Sequence, residues 1–160
     1  MAQNKFNLKQ KVKSLEKTIK KELLYSLGYD SVEFFHKNFD NEGFREKFIH
    51  KWKKRKDKRL THPILHLSGK LKKSVKIVRF DSRHFVIESN LPYSRFHNDG
   101  YYDNAQQVRG YHYKIGDKVG YRPAHTRKMV MPQRKFMGHS YALAQIQRER
   151  VIKVVNQYFK

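Results

Sequence analysis

Three short segments mix turn residues with fixed apolar anchors, and their order constrains the fold of this chain more than any other feature. They are Ile64-Leu65-His66-Leu67-Ser68-Gly69-Lys70-Leu71-Lys72-Lys73-Ser74-Val75, Tyr93-Ser94-Arg95-Phe96-His97-Asn98-Asp99-Gly100 and Met131-Pro132-Gln133-Arg134-Lys135-Phe136-Met137-Gly138. None is a catalytic signature. Together they frame the middle of the chain, and the elements between and around them follow from periodicity.

Upstream, Leu8, Val12, Leu15, Ile19, Leu23 and Leu27 recur every three or four residues with Lys between them, the stripe of an amphipathic helix. Gly28 is expected to end it in a left-handed cap, and Asp30 or Ser31 to N-cap a second helix carrying Val32, Phe34, Phe35 and Phe39. The expectation is a helical hairpin or a long helix kinked near Gly28, covering a sheet and stopping at Asn41-Glu42-Gly43. Phe44, Phe48, Ile49 and Trp52 have the spacing of a third helical stripe. Ser74–Phe80 and His84–Ser89 alternate as two strands joined by Asp81-Ser82-Arg83, an antiparallel hairpin that Asn90-Leu91-Pro92 closes. Residues 101 to 130, rich in Gly and Tyr, read as a long basic loop or projecting hairpin with Gly116-Asp117 as its turn. Leu143, Ile146, Val151, Val154, Val155 and Tyr158 mark a terminal helix starting near Ser140. The fold class is therefore α+β: a long N-terminal helix and a C-terminal helix packed on a small antiparallel sheet. One domain spans 1–160, with 1–29 as its amphipathic helix and 30–160 as its core.

Charge bears on partners. Thirty-six Lys and Arg face 14 Asp and Glu, a formal net charge of +22, so polyanions are the expected company. An aromatic content of 14% separates the chain from disordered basic tails, which lack the residues that build cores. The cations concentrate at Lys51, Lys53, Lys54, Arg55, Lys56, Lys58 and Arg59, with Asp57 as the lone acid, and again through Arg109, Lys114, Lys118, Arg122, Arg127 and Lys128. These are the candidate contacts for DNA or an acidic partner. In the first group Trp52 is the expected anchor.

Catalysis finds less support. The acids are mostly interleaved with Lys on helix surfaces, where no pair converges by spacing. His62 and His66 stand at i and i+4, but Pro63 and Gly69 argue against a helix there, and spacing supplies no third ligand. His97-Asn98-Asp99-Gly100 reads as a turn after a short helix, with His97 a satisfied, partly buried histidine. With no Cys there is no thiolate chemistry or disulfide framework, which suits a reducing cytosol. The N-terminal residues do not read as a signal peptide, and no run of 18 apolar residues predicts a membrane-crossing helix. Neither an enzyme nor a cofactor is expected.

Taken in order, the three segments resemble the phage virion morphogenesis family, which includes the Mu G-like and HK97 tail-completion-like proteins of tailed phages and prophages. Ile64, Leu65, Ser68, Gly69, Leu71 and Ser74 occupy its first block. Tyr93, His97 and Gly100 match the second, and Pro132, Arg134, Phe136 and Gly138 the third, ahead of a terminal helix. Trp52 after Glu42-Gly43 matches an aromatic that precedes the first block. The resemblance covers roughly residues 30 to 160. It implies structural roles for Leu65, Gly69, Leu71, Ser74, Tyr93, His97, Gly100, Pro132, Arg134, Phe136 and Gly138, with no metal and no cofactor. It further implies a neck or tail-completion subunit, a head-tail connector that forms a homo-oligomeric ring around the DNA path.

The expected location is the virion, after assembly in the host cytoplasm. The expected partners are other neck, portal or tail proteins, further copies of the chain, and phage DNA held by non-specific electrostatics, with neither membrane nor small molecule. The long basic segment at 101 to 130 and the high charge depart from the family pattern, and both fit contact with DNA or an acidic ring. A basic, sequence-non-specific nucleic-acid-binding protein is the alternative, with Trp52 or the tyrosines stacking on bases. A small nuclease or toxin is a third and weaker reading.

Overall fold

The computed structural model describes residues 8–55, 57 and 59–158 of the 160-residue chain, and it is mixed α+β. Helix α1 (Leu8–Asp40) is followed by a short hairpin of β1 (Gly43–Arg45) and β2 (Ile49–Lys51). Next come α2 (Lys70–Ser74), the hairpin β3 (Val75–Phe80) and β4 (Phe85–Ser89), and α3 (Ser94–Asp99). A ribbon then runs out through β5 (Tyr101–Val108) and β6 (Tyr111–Ile115) and returns through β7 (Lys118–Arg122) and β8 (His125–Met131). Helix α4 (Tyr141–Tyr158) closes the chain. All strand pairs are antiparallel, and they form four two-stranded units where one small sheet was expected. No helix among the described residues is long and apolar enough to cross a membrane.

Two expectations about the first fifty residues need correction. Helix α1 runs unbroken through Gly28, which is neither a cap nor a hinge. Its role is close approach: a Cβ built there lies 2.8 Å from Ile77 Cδ1 and 3.5 Å from Phe85 Cγ, so the bare backbone lets the β3–β4 hairpin sit against the helix. Asp30 and Ser31 are accordingly not N-caps. Buried Asp30 accepts both Nε and Nη2 of Arg150 at 2.7 and 2.8 Å, tying α1 to α4. The Ser31 hydroxyl donates to Leu27 O one turn back and accepts from Gln147 Nε2. The stop at Asn41-Glu42-Gly43 is observed, with Glu42 at φ 46°.

The helical stripe expected at 44 to 52 is instead the β1–β2 hairpin. Phe44 and Trp52 are buried while Phe48 and Ile49 face outward, and Trp52 N–H donates to Glu42 O at 2.8 Å. Two aromatic anchors flanking a reversal in the chain outweigh the 3.6-residue spacing that all four residues happen to share.

The core lies at the C-terminal end of α1. Phe34, Phe35 and Phe39 meet Trp52, Ile64, Leu71, Val75, Phe136 and Leu143. Phe39 packs on Phe136 with ring centroids 4.8 Å apart and edge-on to Trp52 at 5.7 Å, arrangements that aromatic quadrupoles favour. The N-terminal half of α1 lies outside this core: Val12 is 56% exposed and Leu15 45%. Ser140 caps α4, its hydroxyl accepting from Leu143 N–H and donating to Arg45 O at 2.6 Å.

Candidate nucleic-acid interface

The three turn-and-anchor segments converge. In the first, Ile64 is buried, Leu65 adopts φ 59°, and Gly69 at φ 68° turns the chain into α2, whose Leu71 points into the core. The Ser74 hydroxyl donates to Leu71 O at 2.7 Å and lies 2.6 Å from Ser89 Oγ, joining the helix end to the neighbouring strand. Gly100, at φ 80°, ends α3, and Pro132 directly follows β8. Phe136 is 0% exposed, and Gly138 adopts φ 132°.

Asn98, Asn38, Trp52 and the His97 carbonyl all bind the backbone of the third segment. Asn98 Oδ1 accepts from the backbone N–H of Phe136 and Met137 at 3.0 and 2.9 Å, while Asn38 Nδ2 donates to Phe136 O at 3.1 Å. Trp52 Nε1 donates to Lys135 O at 2.7 Å, and Arg134 N–H to His97 O at 2.7 Å. Both asparagines escaped the sequence reading. Asn98 carries only the signal of a turn residue and Asn38 no distinct signal, and only the approach of residue 136 reveals what they hold.

Arg134 presents its fork to a carbonyl, with Nε and Nη2 reaching Lys53 O at 3.3 and 3.2 Å. Burial, and then the neighbouring charge of Arg55, lower its pKa from the usual guanidinium value. Tyr93, just before α3, is 39% exposed and packs edge-on against His97 with ring centroids 6.0 Å apart.

His97 is partly buried, but its Nδ1 has no hydrogen-bond partner among the described residues, so it is not the satisfied histidine expected. Burial, and then the charge of Arg134, lower its pKa below the ordinary value of 6.5. Unfolding exposes an imidazole that protonates below about pH 6.5, while the folded ring resists. Stability from this source is fully present above pH 6.5 and is lost as pH falls toward the lowered folded value. Thermal melts between pH 7.5 and 5 are expected to show a falling midpoint that His97→Phe flattens. An equal slope in the variant would remove His97 as the cause.

The basic segment at 51 to 59 separates into engaged and open cations. Lys51 Nζ donates to Asn41 O at 2.7 Å. Arg55 binds Leu60 O, His62 O, Pro63 O and His62 Nδ1, using its guanidinium to shape the following loop. Arg59 is paired with Asp57 at 2.8 Å. Lys53 and Lys54 remain exposed, whereas Lys56 and Lys58 lie outside the described residues. Trp52 anchors the core, and its buried ring is not available to stack on a base.

The segment at 101 to 130 is the projecting hairpin, with Gly116 and Asp117 at its tip. Register places Tyr111 opposite Arg122, Tyr113 opposite Gly120 and Ile115 opposite Lys118 on one face. His112 with Tyr121, and Lys114 with Val119, occupy the other. The Tyr113 ring lies across Gly120, where an added Cβ would come 2.5 Å from its Cζ. No described residue covers either face of the outer ribbon, and Ile115 and Val119 are 73% and 69% exposed. Arg109, Lys114, Lys118, Arg122 and Arg127 all stand exposed, and no described carboxylate pairs with any of them. The side chain of Lys128 lies outside the described residues.

A two-stranded ribbon alternating tyrosines with unpaired cations can lie along a phosphate backbone or enter a major groove, which admits such a ribbon. No family model, no curated protein and no solved structure matches this chain.

Proposed function

We propose that this chain is a structural assembly protein of a tailed phage or prophage, a neck or tail-completion subunit at the head-tail junction that forms a ring around the DNA path. The observation that carries this reading is the ribbon 101–131, which carries six Lys and Arg against two Asp and whose outer strands β6 and β7 are exposed on both faces. An isolated two-stranded ribbon is marginal in water, so its exposed Tyr, Ile and Val side chains ask for a neighbour and its cations for a polyanion. Ring subunits supply the first through repeated contact with their own copies, and enclosed DNA supplies the second. The resemblance of the three segments to virion morphogenesis proteins supports the same assignment, because those segments meet in one core with the ribbon projecting from it.

The five exposed ribbon cations, none of them paired with a described carboxylate, also favour a second reading, a basic nucleic-acid-binding protein that acts without ring assembly. Light scattering and negative-stain microscopy, with and without duplex DNA, separate the two. Assembly predicts a closed oligomer, alone or on DNA, together with salt-sensitive and sequence-blind DNA affinity. A persistent monomer with that same affinity would favour the second reading. Strong preference for one DNA sequence at physiological salt would defeat the assembly reading.

A further inference from the structure

A second surface lies away from the ribbon. The turns of α1 from Lys13 to Tyr25 and the β3–β4 turn diverge to form a groove of about 960 Å³. Its floor is apolar: Leu23 and Leu24 lie beside Tyr25 and Phe80, whose rings stack with centroids 3.9 Å apart. Its rim is cationic. Both carboxylates on that rim are engaged within the chain, Glu16 by Lys20 at 2.6 Å and Asp81 by the N–H groups of Arg83 and His84 and by His84 Nδ1. Lys17, Lys21 and Arg83 have no described carboxylate at ion-pair distance. On the same helix, Leu15 and, just before the groove begins, Val12 are both exposed.

We infer that this groove docks an acidic amphipathic helix of a separate protein, whose apolar face seats on Leu24 and the Tyr25–Phe80 stack and whose carboxylates pair with Lys17, Lys21 and Arg83. Thirteen residues of helix, Lys13 to Tyr25, rise about 18 Å, which matches three turns of a partner helix. Charge selects against a second copy of this chain: residues 8–24 hold six Lys against two Glu, so like helices would repel. An apolar floor between cations selects against nucleic acid, which satisfies the rim but leaves the floor wet. This surface goes beyond the ribbon reading and does not depend on it.

The test is to pan a random library of 14-residue peptides on the full chain. Enriched peptides are expected to carry Asp or Glu together with Leu, Ile or Phe at i, i+3 and i+4. Lys17→Glu with Lys21→Glu is expected to weaken an enriched peptide at least tenfold, with helicity by circular dichroism confirming that the variant is folded. Replacing that peptide's apolar residues by Ser is expected to weaken it as much against the unaltered chain. Lys118→Glu with Arg122→Glu, on the ribbon, should leave peptide affinity unchanged, so the two surfaces succeed or fail separately. The inference is overturned if no peptide is enriched, if the enriched peptides lack acids, if the Lys17 and Lys21 variant binds equally well, or if polyglutamate or duplex DNA competes as strongly as the peptide itself.

Discussion

Replacing Phe136 with alanine is expected to cost about 3–5 kcal/mol of unfolding free energy, the range for removing a fully buried Phe side chain. The ring is completely enclosed and packs directly on Phe39, while its backbone N–H and C=O are clamped by Asn98 and Asn38. Those polar clamps oppose collapse of the surrounding backbone into the space left by the ring, so the upper part of the range applies. Domains are stable by only about 5–15 kcal/mol, so a loss of this size brings the variant close to unfolding at room temperature. Urea denaturation followed by Trp52 fluorescence reads it directly, because that indole lies in the same core. A shift below about 1 kcal/mol would mean that the core does not close around residue 136.

Neutralising four ribbon cations together, Arg109→Gln, Lys114→Gln, Lys118→Gln and Arg122→Gln, is expected to reduce duplex DNA affinity by roughly 10³-fold at low salt. Each phosphate contact releases counterions and contributes about −0.9 to the slope of log affinity against log salt, so losing four contacts flattens that slope by roughly 3.6. These side chains pair with no described acid and stand clear of the core, so the unfolding midpoint should hardly move. Titrations between 50 and 300 mM salt supply both numbers. The same exercise on Lys53 and Lys54 should flatten the slope by at most about 2, because those two are the exposed, unengaged cations described in the earlier basic segment. If the four-fold ribbon variant kept its slope, the ribbon would not be the DNA-contacting surface.

The legible parts of this fold were local ones. Alternation marked β3 and β4, Gly69 and Gly100 marked turns of positive φ, and Ser140 marked the start of α4. Misreadings arose where a residue answered to something distant in sequence. Gly28 has the credentials of a helix cap, yet its missing side chain makes room for Ile77 and Phe85 some fifty residues later. Asp30 resembles an N-cap until Arg150 is brought beside it. Trp52, within a run of cations, looked like a stacking platform, whereas its ring and Nε1 both turn toward the segment around residue 136.

Charge followed the same division. Composition alone established that the chain would repel itself and attract polyanions, since +22 is a sum over residues and needs no coordinates. Which cations remain open was a tertiary matter. Arg55 is spent on three carbonyls and a histidine, Arg59 on Asp57, and Arg134 on Lys53 O, while Arg109, Lys114, Lys118, Arg122 and Arg127 stand exposed along the ribbon with no described carboxylate paired to them. By itself the sequence determined the elements with short-range periodicity, the turns that require glycine, and the sign of the electrostatic field. Only the tertiary structure decided which side chains are consumed in holding the core and which are left to meet a partner, because that depends on how the folded chain brings groups together, from the loop seven residues on that Arg55 binds to the 81 positions between Arg134 and Lys53.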